Sequence, residues 1–227
     1  MSLRHKTFVI TGGTSDVGFA LTIHLAQMGA DVAIIDKNPE KARRIAEEIE
    51  VMREKDAKVG RAGFVQADLT DYAQTKEAMS RAIEMFGGME VLIAGLQTDV
   101  ASEISSEKYL EDFGRLIDIN TKSAVYATYA ALPYMKARKK GKVLYLISDL
   151  VRWGLEGESL SAVTRGGLIY YARALARELA PSNITVNCVS LGPTEEYLMA
   201  RDPSAASIKA VEEKLVQAIP MARTLSA

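Results

Sequence analysis

A single cysteine, Cys188, leaves no partner for an intrachain disulfide and no thiolate cluster for a metal. The two histidines, His5 and His24, sit in no Ser-His-Asp arrangement and at no metal-ligand spacing. Both are expected at the surface, and no metal site is expected. No apolar run approaches the roughly 18 residues that a membrane span needs, and the first strand begins too early for a signal peptide. A soluble, cytoplasmic protein is the expectation. Excess charge of one sign is also missing. The 28 Lys and Arg against 29 Asp and Glu leave a net charge of −1, which gives no electrostatic reason to expect nucleic acid or an anionic membrane as partner. Lys136, Arg138, Lys139 and Lys140 suit a helix C-terminus and its dipole rather than a nucleic-acid patch.

The 227 residues are enough to bury a core without a disulfide or metal staple, and they are expected to form one domain over 1–227. Short apolar runs alternate with longer stretches of helical period. "TFVITG" precedes a helix over about Val17 to Met28, and "ADVAIID" precedes a charged helix that Pro39 opens. "GRAGFVQADL" reads as a third strand ended by Asp68, and Thr70 as the cap of a helix that Gly87 and Gly88 stop. "MEVLIAG" is a fourth strand, a long helical region covers roughly Ser106 to Lys139, and "KVLYLIS" is a fifth strand. A helix of about six turns starts at "SLSAV", "ITVNCVSLG" is a sixth strand, and residues 194–218 read as helical. Strands separated by helices imply right-handed parallel βαβ units, and near-continuous apolar strands imply a sheet covered on both faces. The expected fold is a doubly wound, Rossmann-like α/β sheet.

Such a sheet binds ligands beyond the carboxyl ends of its strands. There the first strand runs into Thr11-Gly12-x-x-x-Asp16-x-Gly18 and then a helix, the arrangement of a dinucleotide-binding turn. Asp36 ends the second strand, near the spacing at which an acid meets an adenosine ribose.

These residues resemble the short-chain dehydrogenase/reductase family, and the resemblance covers nearly the whole chain. The turn is similar to the family's T-G-x-x-x-G-x-G. "ADLTD" supplies the acid Asp68, "LIDINTKSA" the helical Asn120, and the fifth strand Ser148. "ARALARELAPSNITVNCVSLGPT" matches the run from the active-site helix to the P-G turn, which here is Leu191-Gly192. The resemblance implies NAD held by Gly12, Thr14, Ser15, Asp16, Val17, Gly18, Asp36, Asp68, Leu69, Ala94, Gly95, Arg165 and Gly192. It implies catalytic positions at Asn120, Ser148, Ser161 and Arg165.

The sequence departs from the family at those positions. Asp16 stands where the turn's second Gly belongs, and Ala94-Gly95-Leu96-Gln97 replaces N-N-A-G. Ser161-Ala-Val-Thr-Arg165 replaces the Tyr-x-x-x-Lys pair, and the chain ends where family members continue through a last helix and strand. A Ser hydroxyl is one phenyl ring shorter than Tyr, with no evident base to lower its pKa, and Arg stays charged and exchanges no proton. Arg165 retains the capacity to bond a ribose hydroxyl.

Several residues carry two readings. Asp16 either caps the first helix and competes with a pyrophosphate or turns to solvent. Asp36 either meets the ribose or is a solvated turn residue. Asp68 either bonds adenine or serves helix entry. Asn120 either holds a relay water or bridges backbone groups where its helix bends. Ser148 either orients substrate or is structural, and Trp153 lines a pocket or an interface. The departures favour a non-catalytic NAD-binding or structural member. The alternative is an active NAD(H)-dependent oxidoreductase on a small alcohol or carbonyl, with a non-standard proton donor such as Tyr197. A homodimer through the two long helices is expected, with Tyr126, Tyr129, Leu168 and Tyr171 as candidate contacts.

Overall fold

The apolar runs form six parallel strands in a computed structural model that describes residues 3–98, 104–152 and 157–192. The strands are β1 (Thr7–Thr11), β2 (Asp31–Asp36), β3 (Ala62–Gln66), β4 (Val91–Ala94), β5 (Gly141–Ser148) and β6 (Ile184–Leu191). Their order is β3-β2-β1-β4-β5-β6. The helices are α1 (Asp16–Gln27), α2 (Pro39–Lys55), α3 (Tyr72–Met85), α4 (Tyr109–Leu116), α5 (Ser123–Ala137) and α6 (Ser159–Leu179). Among the described residues, no helix is long and apolar enough to cross a membrane.

Alternation along the strands feeds two cores, because successive side chains point to opposite faces. Val9, Ala33, Ile35, Leu92 and Tyr145 pack on one face with residues of α3, α5 and α6. Phe8, Ile10, Val32 and Ile93 pack on the other, where Val17, Leu21 and Leu25 of α1 close over them. The buried stripe of α2 is Ala42, Ile45 and Ile49. In α6, the spacing of Ser161, Thr164, Arg165, Leu168, Ala172, Leu175 and Leu179 sets one buried face. Leu168 is 1% exposed, so it belongs to the core and not to an interface. Tyr171 is half-buried, its ring centroid 6.1 Å from that of Tyr145.

Element ends differ from the expectations in ways that local chemistry explains. β3 stops at Gln66, and Ala67 N–H turns to the Asp36 carbonyl at 3.0 Å. Thr70 does not cap α3, since its N–H and hydroxyl both donate to Asp68 Oδ1, at 2.9 and 2.7 Å. Asp71 caps the helix instead, accepting from Gln74 N–H at 3.0 Å. The region expected to be one helix from Ser106 to Lys139 begins at Tyr109, ends at Ala137 and passes through a π-helical stretch, Ile117–Lys122. The expected helix over 194–218, Trp153 and Tyr197 lie outside the described residues.

Candidate functional site

The strand order reverses between β1 and β4, so the crevice at their carboxyl ends is the topological switch point of the sheet. Two segments flank it: the glycine turn after β1 and Gly95–Thr98 after β4. Gly12 has φ +72°, and a Cβ there would lie 2.5 Å from Leu96 Cα. A Cβ on Gly18 would lie 2.5 Å from the Gly12 carbonyl oxygen. Both glycines are therefore required by close backbone approach, which draws the turn against β4 and α1. The family's remaining glycine position, Asp16, escapes this crowding as the exposed first residue of α1.

Ser15, not Asp16, caps α1. Its Oγ accepts from Gly18 N–H at 3.1 Å and donates to the Gly12 carbonyl at 3.0 Å. The capping reading of Asp16 is thus corrected, because the residue one position earlier has the extended backbone that a cap requires. Asp16 still adds a carboxylate to the first turn, where the helix dipole and amides such as Val17 N–H favour an anion. The turn combines a positive-φ glycine, a capped helix start and first-turn amides.

Asp36 is not the solvated turn residue of one reading. It is 5% exposed. Its Oδ2 accepts from Thr14 N–H at 3.2 Å and Thr14 Oγ1 at 2.8 Å, and its Oδ1 from Asn38 N–H at 3.1 Å. Asp68 serves helix entry through Thr70, and those hydrogen bonds lower its pKa below the ordinary value. Leu69 is buried beside it. Ala94 ends β4 in register with Thr11, whose carbonyl accepts from Gly95 N–H at 3.0 Å. Gly192 follows the end of β6.

Two of the family's catalytic positions, Asn120 and Arg165, meet at Thr98, a residue with no signal in the sequence because only its peptide groups take part. Thr98 N–H donates to Asn120 Oδ1 at 2.8 Å. The Asn120 Nδ2 donates to the Thr98 carbonyl at 3.1 Å and to Thr164 Oγ1 at 3.2 Å. Asn120, fully buried on the π-helical stretch, therefore bridges backbone and α6, with both amide protons spent. Arg165 adds an Nη2 donor to the same carbonyl at 3.0 Å, with its side chain 2% exposed. Ser161, one turn earlier, is 1% exposed, and its Oγ has no hydrogen-bond partner among the described residues. Ser148 is half-buried at the end of β5. Tyr145 is buried, which pushes its phenol above the ordinary range, and it bonds Thr128 Oγ1 at 2.7 Å.

The pattern of the family described as short chain dehydrogenase matches residues 6–206. Over 225 residues the chain is 29% identical to a 3-oxoacyl-(acyl-carrier-protein) reductase of Thermotoga maritima, covering 98% of this chain and 86% of that one. It is 31% identical over 206 residues to a short-chain dehydrogenase/reductase of Cladobotryum, covering 88% and 75%. The fold matches that of NAD+-bound xylitol dehydrogenase with a TM-score of 0.84 at 21% identity, covering 100% of this chain and 89% of that one. It also matches a 3-ketoacyl-(acyl-carrier-protein) reductase from Brucella melitensis complexed with NADH, with a TM-score of 0.82 at 24% identity and coverage of 99% and 87%.

Proposed function

Since the chain belongs to the short-chain dehydrogenase family, we propose that it binds a nicotinamide dinucleotide weakly and does not transfer hydride by a tyrosine-based route. The observation that carries this reading is Ser161: the donor position holds a short hydroxyl, 1% exposed. A general acid must reach the reacting oxygen with a pKa near the working pH, and a buried serine hydroxyl does neither. Arg165, one turn on, donates to the Thr98 carbonyl and has no acceptor atom to take a proton. A bound nicotinamide would supply the hydride, but these side chains offer no proton path beside it.

The glycine turn and the first amides of α1 would hold the pyrophosphate. Asp36, though engaged by Thr14 and Asn38, places an acid at the adenosine end and favours NAD over a 2′-phosphorylated cofactor. Its occupied oxygens and the Asp16 carboxylate both weaken the affinity.

Thermal melting with NAD and NADH tests binding, because ligand at a hundred times its dissociation constant adds about 2.7 kcal/mol of stability. NADH absorbance against a panel of alcohols, ketones and aldehydes tests turnover. Unchanged melting sinks the binding half, and robust turnover sinks the non-catalytic half.

A second reading, an active oxidoreductase with another donor, draws support from relatives named as reductases along almost the full chain. Turnover that survives Ser161→Ala but is lost in Tyr197→Phe would establish it.

A further inference from the structure

Four residues after β4 form a strap that is hydrogen-bonded at three positions and packed against the glycine turn at the fourth. Gly95 N–H donates to the Thr11 carbonyl at 3.0 Å. Leu96 backbone lies so close to Gly12 that an added Cβ would meet its Cα at 2.5 Å and its N at 2.6 Å. The Gln97 side chain donates to the Leu146 carbonyl. The Thr98 carbonyl accepts from both Asn120 and Arg165. One end of the strap thus bears on the glycine turn, and the other is held by a buried guanidinium of α6.

We infer that Arg165 is a positioning residue for the glycine turn, acting through the Thr98 carbonyl and the Leu96 backbone, so that it sets nucleotide affinity without touching the adenosine half. Three physical facts support the route. A charge-assisted hydrogen bond is stronger than its neutral neighbour, so Arg165 is the firmer of the two donors on the Thr98 carbonyl. Packed backbone without a side chain between transmits displacement directly, and Gly12 has no slack toward Leu96. The path is also contiguous, with two residues between the Arg165 contact and the turn. Any ligand that draws the guanidinium away from Thr98 would loosen the pyrophosphate cradle at the other end of the strap.

The inference rests on the glycine turn being a nucleotide site, and the test separates the two. Arg165→Met keeps the apolar stem and removes the donors, and Arg165→Lys keeps a cation able to reach a carbonyl. Titration calorimetry uses NAD and, separately, ADP, which lacks the nicotinamide half. Amide exchange is followed in the nucleotide-free protein over Gly12–Ser15 and at Thr98. Arg165→Met should weaken NAD and ADP by the same factor, on the order of tenfold for one charge-assisted bond. It should also speed exchange over Gly12–Ser15, and Arg165→Lys should restore part of both. If ADP affinity and turn exchange stay at the parent's values while NAD weakens, Arg165 meets the nicotinamide half itself and the inference fails. If the parent binds neither nucleotide, the proposed function fails instead. Exchange over Gly12–Ser15 then decides the coupling alone, faster exchange in Arg165→Met supporting it and unchanged exchange overturning it.

Discussion

The Asp36 carboxylate holds Thr14 by both its amide and its hydroxyl, at 3.2 and 2.8 Å, and so fastens the glycine turn to the end of β2. Asp36→Asn should therefore destabilise the protein even with no nucleotide present. Hydrogen bonds to a charged group contribute about 1.5–3 kcal/mol each, and in a chain of this size 1 kcal/mol moves the melting temperature by roughly 2–4 °C. A residue that served only a ribose would leave the melting curve of the nucleotide-free protein where it was.

Asp16→Gly should tighten NAD binding, because it removes a carboxylate from the first turn of α1, where an anion is to be held. The reason is charge, not capping, since Ser15 caps the helix. Titration calorimetry of parent and variant checks this, with a gain of about threefold to tenfold expected for one partly screened charge near a helix terminus. Equal affinities would show that the Asp16 charge does not reach the cradle.

The layout of this fold was legible because strands such as "TFVIT" and "DVAIID" are apolar enough to be buried on both faces, and because the helices between them carry clear stripes. The partners at the site were far less legible. Nothing in the order of residues shows that Asp36 turns inward to Thr14, because that depends on where the turn's backbone amide points. Thr98 contributes only peptide groups, which every residue owns. The π-helical stretch interrupts a run that reads as regular helix, and Asn120 is the buried residue on it. At the start of α3, Thr70 and Asp71 are both good caps, and Asp68 decides between them by occupying Thr70.

Ser161→Ala should stabilise the protein. A buried hydroxyl without a partner costs about 1–3 kcal/mol of lost hydration, and Ser161 Oγ is in that position among the described residues. A rise of roughly 2–4 °C in melting temperature is expected for each kcal/mol recovered. A clear fall would mean that the hydroxyl is satisfied in the working protein, and would return Ser161 to the list of functional groups.

Asp31 and Arg61 predict a pH dependence. Partial burial alone would raise the Asp31 pKa, but hydrogen bonds and charge from Arg61, the side-chain contact at 2.6 Å, hold it below its ordinary value of 3.8. A carboxylate depressed in the folded state stabilises the fold above its unfolded pKa, and that contribution is lost as pH falls through the folded value. Asp31→Asn keeps an acceptor for Arg61 N–H and removes the charge together with the second acceptor, which Arg61 Nη2 uses. Relative to the parent it should be less stable at pH 7, by less than about 1 kcal/mol because the pair is partly solvent-screened. The difference should vanish well below pH 3.8. A difference that persists there would be steric, not electrostatic.

Assembly is the remaining prediction. On the outer faces of α5 and α6, Tyr129 is 62% exposed, Tyr170 71% and Val163 56%. Tyr129 and Tyr126 stand against Tyr72 of α3, with ring centroids 5.7 and 5.5 Å away, so these rings are held in place before any partner arrives. Preset aromatic rings lose little entropy on association, which makes Tyr a favoured anchor. Leu168, a core residue, drops out of the expected contact set. A homodimer through α5 and α6 is the expected state, and light scattering at micromolar concentration reads it directly. Tyr129→Glu combined with Tyr170→Glu should give a folded monomer, since two carboxylates per copy would be buried unpaired. If the parent is already a monomer, the surface is not an interface between copies. If the double variant remains a dimer, the contact lies elsewhere, and β6, one of the two outer strands among the described residues, is the next place to test because an unpaired strand edge invites pairing.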